Sequence, residues 1–317
     1  MKIIHHITAA ILLAASILGA APASALDKIV IGYTAVGGNA ADYIAKDKGF
    51  FAKHGLDVDL LLVRGGSVLV PSLVANSIQI GTLATPTMIQ AADGGIDLVA
   101  VTGLSVFTAN LNDSGIVIRT DSTIKTPADL KGKRIATSTI GGVSEIMFDK
   151  WLTVKGLDLK SVTMLEVAYS DMPNVIKTGN IDGVLIPDPF MSAIVSAGTG
   201  KVMARYIAEV VGSIPSAPSI SSIVNSSTRA WVQAHPQELT AFRAAIVEAV
   251  AFGKANPKEA IEIVGRTLNL KPEVMATTEL APLSSNVAAA DFKWWLDTMI
   301  EQDRLRTKLD ASKLISP

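Results

Sequence analysis

The 317 residues carry 28 basic and 29 acidic side chains, a formal net charge of −1, and no cysteine. That balance offers nucleic acid no electrostatic footing, and the missing thiols exclude a disulfide framework, a thiolate metal site and a lipid-modified cysteine behind an export signal. The length is sufficient for two compact lobes.

The chain opens as an export signal, with Lys2, an apolar segment from Ile7 to Gly19, and Ala23-Ser24-Ala25 in the A-x-A pattern of a cleavage site. Residues 1–25 are expected to be removed, leaving a periplasmic protein that begins at Leu26. After the signal, Asp, Lys, Pro or Gly interrupts each apolar run before the roughly eighteen residues that span a bilayer.

Lys28 to Tyr33 is a β-branched run that predicts the first strand. A small-residue loop from Thr34 to Ala40 leads to a helix over about Ala41 to Phe51. Val58 to Val63 is a bounded apolar run ending at Gly65-Gly66-Ser67; Pro71 sets a helix start nearby, and Ile78 to Leu83 is the next strand. That βαβ unit would offer an anion free N–H groups at the glycine turn. Thr85-Pro86-Thr87 starts another helix, ending at Gly94-Gly95, and Leu98 to Thr102 is a further strand. The βα rhythm predicts a parallel sheet with helices on both faces.

A second series follows: strands over Gly115 to Arg119 and Lys133 to Ser138, the turn Thr139-Ile140-Gly141-Gly142, and an amphipathic helix through Val143, Ile146, Met147 and Trp151. Val162 to Val167 and Gly183 to Ile186 read as strands, while Asp171 and Asp188-Pro189 each start a helix. Ser213 to Ser222 has linker composition. From Asn225 the pattern is helical, with starts at Pro236, Pro257, Pro272 and Ala288, and Trp294-Trp295 read as packing residues. Helices without strands need a sheet to cover, so the chain is expected to return to its first lobe.

Lys28 to Tyr33, Ala45 to Phe51, His54 to Val58, Gly65-Gly66-Ser67, Asp129 to Arg134, Gly179 to Gly183 and Asp188-Pro189-Phe190 occur in that order. Together they resemble the solute-binding proteins of ABC importers in the nitrate, sulfonate and taurine group, which includes the thiamine-precursor binders of NMT1/THI5-like type. The resemblance implies an α/β, two-lobed periplasmic-binding-protein type II fold, with two interlobe crossings and ligand held in the cleft. Lobe 1 is then expected over 26–115 and 221–317, and lobe 2 over 116–220. It also implies a monomer that hands its solute to a membrane permease served by an ATPase, with no cofactor or metal. Relatives commonly carry an aromatic and a Glu where this chain has Ile186-Pro187-Asp188. The cysteine-rich motif of the members that make the thiamine pyrimidine is absent, so no enzyme is expected.

In such a fold ligands sit at the carboxyl ends of the strands. The turns there nominate Thr34, Asn39, Gly66, Ser67, Thr85, Ser138, Thr139, Gly141 and Gly142, a set rich in N–H and hydroxyl donors and poor in charge. Such donors suit a small organic anion. Arg64 either adds a full positive charge or is a surface arginine at a strand end, and Asp188 either receives a ligand N–H or only caps its helix. His54 and His235, the histidines beyond the signal, form neither a metal site nor a triad. The alternatives are a periplasmic enzyme using the same cleft and a sensory module presenting its ligand to a membrane receptor.

Overall fold

The structure is a computed structural model that describes residues 27–63, 65–214 and 219–317. The expected signal peptide and Arg64 lie outside the described residues. β1 (Asp27–Tyr33) leads into α1 (Ala40–Asp47), and Gly49, at φ +72°, separates it from α2 (Phe50–Lys53), where the sequence predicts one helix. β2 (Leu56–Leu62), α3 (Leu69–Val74), β3 (Ile80–Ala84), α4 (Thr85–Asp93) and β4 (Leu98–Phe107) complete the first series.

The second series runs through β5 (Ser114–Arg119), β6 (Arg134–Thr137), α5 (Val143–Val154), β7 (Thr163–Glu166), α6 (Met172–Lys177), β8 (Gly183–Pro187) and α7 (Phe190–Ser196). Next come β9 (Gly200–Ala204), α8 (Tyr206–Gly212) and β10 (Ile220–Thr228), which the sequence reading passes over. The tail holds α9 (Arg229–Ala234), α10 (Pro236–Ala255), α11 (Pro257–Thr267), α12 (Pro272–Met275) and α13 (Ala289–Glu301). Proline opens α10, α11 and α12, where its missing N–H costs no helical hydrogen bond.

Two five-stranded sheets result, in the orders β2-β1-β3-β10-β4 and β7-β6-β8-β5-β9. Neither is purely parallel, which corrects the expectation from the βα rhythm. β10 runs antiparallel to β3 and β4, and β5 runs antiparallel to β8 and β9. Each of these strands comes over from the other sheet. It enters at the side where its new parallel neighbours end, so it can pair with them only by running back against them.

β10 reads ISSIVNSST, yet Ser221, Ser222, Ser226 and Ser227 are all buried. The Ser227 hydroxyl donates to the Gln79 carbonyl at 2.7 Å, and Ser221 Oγ lies 3.0 Å from Thr85 Oγ1. Small side chains also admit Trp295 of α13, fully buried, whose Nε1–H donates to the Ser221 carbonyl at 2.7 Å. The end of the expected linker, Ile220 to Ser222, thus opens a strand in the interior of the sheet. α10 and α11 lie with α1 on one face of the first sheet, around Phe51, Phe242 and Ile263, while α4 and α13 cover the other. α6 and α7 cover one face of the second sheet, and α5 and α8 the other. Burial of each large apolar side chain contributes about 1.5–3 kcal/mol. One apolar cluster runs unbroken from Leu83 of β3 and Met88 of α4 to Ile116 of β5 and Phe148 and Trp151 of α5.

Candidate functional site

The carboxyl ends of β1, β3, β6 and β8 converge on a cavity of about 90 Å³ lined from both sheets, room for one small solute or a few waters. Five nominated residues line it: Thr34, Gly66, Ser138, Thr139 and Gly142. The two small-residue turns meet there, since a Cβ on Gly66 would stand 3.5 Å from Thr139 Oγ1.

The other described candidates support the walls. Asn39 is fully buried and its amide donates to the Thr34 carbonyl at 2.7 Å. Thr85 is spent on Ser221 and on the Ser222 carbonyl at 3.3 Å. Ser67 is exposed and outside the lining. Gly141 takes the left-handed conformation of the turn (φ +73°), and its carbonyl accepts from Gln90 Nε2 at 2.8 Å. Gly142 itself is extended at φ −79°. Asp188 is buried: its Oδ1 accepts from the Ser192 N–H (2.9 Å), its Oδ2 from the Glu279 N–H (2.8 Å), and its carbonyl from the Gly37 N–H (3.2 Å). It joins the two halves of the chain.

The N–H groups of the turn after β6 are already engaged. Ile140 donates to Glu166 Oε2 at 3.1 Å, Gly141 to Glu145 Oε2 at 3.2 Å, and Gly142 to the Thr139 carbonyl at 3.1 Å. The free donors lie one step on, in the first turn of α5, where Val143 and Ser144 line the cavity and Gly142 provides no side-chain cap. Such N–H groups have no intrahelical acceptor and sit at the positive end of the dipole. Among the described residues, the hydroxyls of two lining residues, Thr82 and Thr137, are buried without a partner, on side chains 3% and 0% exposed. A buried polar atom left unmatched costs about 1–3 kcal/mol, so a solute that bonds to these hydroxyls recovers it.

Sequence reasoning missed Asp113 and Tyr169. Tyr169 follows β7, and the rule that ligands gather at strand carboxyl ends could have found it. Its hydroxyl lies 3.2 Å from Ser144 Oγ, and burial raises its pKa against the opposing pull of the Ser138 and Ser144 hydroxyls. Asp113 sits on the first crossing, and an acid next to a predicted strand carries no such signal. Burial pushes its carboxyl up to about 7, Asp188 and Glu279 push the same way, and Ser114 and Arg205 oppose them. Apart from this carboxyl the described lining is uncharged, and Leu69, Phe107, Val143 and Ile207 belong to its apolar part.

The sequence model of the family described as NMT1/THI5 like matches residues 38–260. A relative from Escherichia coli (strain K12), provisionally named an aliphatic sulfonates-binding protein, is 25% identical over 91% of this chain and 89% of its own length. Among solved structures, the alkanesulfonate-binding protein SsuA from Xanthomonas axonopodis pv. citri, bound to MOPS, gives a TM-score of 0.78 at 20% identity, covering 91% of this chain and 98% of that one. The periplasmic nitrate-binding protein NrtA from Synechocystis PCC 6803 gives 0.73 at 18% identity, covering 90% and 84%. The two mixed sheets are thus those of the periplasmic-binding-protein fold, and the chain belongs to the NMT1/THI5-like family.

Proposed function

We propose that this chain is the periplasmic solute receptor of an ABC importer, capturing a small anion, either an organic sulfonate or carboxylate or nitrate, and delivering it to a membrane permease served by an ATPase. The observation that carries the reading is the uncapped first turn of α5, set beside the unpartnered hydroxyls of Thr82 and Thr137 in one cavity. Charge-assisted hydrogen bonds of about 1.5–3 kcal/mol each, with about 0.3–2 kcal/mol from a helix terminus, suffice for the roughly 8 kcal/mol of a micromolar binder. The lobes are 26–115 with 221–317, and 116–220, working as a monomer that closes about the two crossings.

Native mass spectrometry of the co-purifying solute, followed by a thermal-shift panel of sulfonates, nitrate and carboxylates, tests this. A rise in melting temperature with at least one anion is expected. Gly142→Val should abolish that rise, because a Cβ there would stand 2.9 Å from the Thr139 carbonyl oxygen and force a shift in a turn that lines the cavity. No response to any anion, or an unaltered response in a stably folded Gly142→Val protein, refutes the proposal.

A further inference from the structure

Asp113 is the one ionisable carboxyl among the described lining residues, 5% exposed and facing the same small space as the α5 N-terminus. The Ser114 hydroxyl donates to its Oδ1 at 2.8 Å. No cationic side chain bonds to it among the described residues: Arg205, the nearest positive influence, places its guanidinium on the Asn112 carbonyl and Met191 Sδ. The other groups facing it are Asp188 at the end of β8, Glu279 beyond α12, Tyr169 beyond β7 and Tyr206 in α8. Two carboxyls and two phenols provide no countercharge. An anion entering this cavity would meet a carboxylate at close range in a poorly screened space, and opposing charges of one sign there are resolved by protonation.

We infer that Asp113 enters the anion complex as a neutral carboxylic acid that donates a hydrogen bond to the solute, so that capture takes up one proton from solvent and tightens as pH falls. The inference rests on the anion reading above. Burial already pushes this carboxyl up to about 7, and a bound anion raises it further. The free site is then half-charged near neutral pH while the complex stays protonated, so binding in alkaline solution must first protonate Asp113.

The test is calorimetric titration of ethanesulfonate and of nitrate into the full-length mature protein, from about pH 5.5 to about pH 8.5, in two buffers of different ionisation enthalpy. Both probes remain ionised throughout. Affinity is expected to fall by up to about tenfold per pH unit above about 7, with proton uptake approaching one per anion. Asp113→Asn, whose amide also donates, should bind with no pH dependence and about as tightly in alkali as the unaltered protein does in acid. Affinity independent of pH with no proton uptake overturns the inference, as does affinity that rises with pH, which would show that the anion is held better with Asp113 ionised. Binding with flat pH dependence leaves the anion reading standing. Failure of both probes at every pH overturns this inference, and the anion reading falls with it when the carboxylates of the thermal-shift panel fail as well. The proton count on the unaltered protein decides the matter even if Asp113→Asn does not fold.

Discussion

Thr137 ends β6, fully buried, with a hydroxyl that has no partner among the described residues. A surface threonine would satisfy that oxygen with water, so the empty protein pays for a donor and acceptor held ready. Thr137→Val keeps the shape and removes the polar atom. The variant without solute is expected to be more stable by about 1 kcal/mol, and to bind the solute about tenfold more weakly. Urea unfolding and titration of the same preparation give both numbers; a fall in stability, or an unchanged affinity, would show that the hydroxyl serves the fold rather than the cavity. The sequence marks the turn after β6 through its glycines. It does not reveal that the turn's own N–H groups are occupied, because Glu166 and Glu145 reach them from a separate strand and from the helix that follows.

At the scale of elements, α5 carries the donors and the tail holds it in place. Glu145 is buried in its first turn, where an unpaired carboxylate would cancel the helix dipole and repel an anion. Arg304, just beyond α13, neutralises it: its guanidinium lies 3.0 Å from Glu145 Oε1 and 3.2 Å from Asp149 Oδ2. Gln302 adds a hydrogen bond to the Ile146 carbonyl at 3.0 Å. Removing one partner of such an enclosed pair costs about 3 kcal/mol. Arg304→Ala is therefore expected to melt earlier and bind anions at least tenfold more weakly, with Arg304→Lys between it and the unaltered protein. Small-angle scattering of the solute-free variant should also show a larger radius of gyration, since this contact ties the second series of elements to the tail. A compact Arg304→Ala protein with normal affinity would reduce the pair to a surface ornament.

At the scale of the whole molecule, the fold keeps several acids out of water. Asp42 of α1 is fully buried, and burial raises its carboxyl to about 7 against a hydrogen bond from Asn225 Nδ2 at 2.9 Å. Its ordinary value is 3.8, so between about pH 4 and 7 the folded state holds a proton that the unfolded state releases. The stability from this group is complete below its ordinary pKa and is lost as pH rises through the folded one. Asp113 and Asp188, also raised by burial, act in the same direction. Exposed Asp93, Asp129, Glu248 and Asp310, whose values are lowered, oppose the trend weakly because solvent screens them. The solute-free melting temperature should thus fall from about pH 5 to about pH 7.5, and Asp42→Asn should flatten much of that slope. An equal slope in the variant would locate the titration elsewhere.

The sequence by itself determined the elements that local chemistry defines. β1 follows from its β-branched run, α5 from its apolar stripe, and the tail helices from prolines at their first positions. The ordered motifs also determined the family. Only the tertiary structure decided that a serine-rich stretch forms a central strand, because β10 owes its place to β3 and β4 on either side and to Trp295 above it, none of them near in sequence. It likewise decided which nominated residues line the cavity and which brace it. Thr85 and Asp188 have the residue types of ligand contacts, and both are engaged by partners about ninety or more positions away. Asp113 became chemically distinctive only where residues from both sheets close around it, for burial and neighbouring charge set a pKa, and neither is a property of the local sequence.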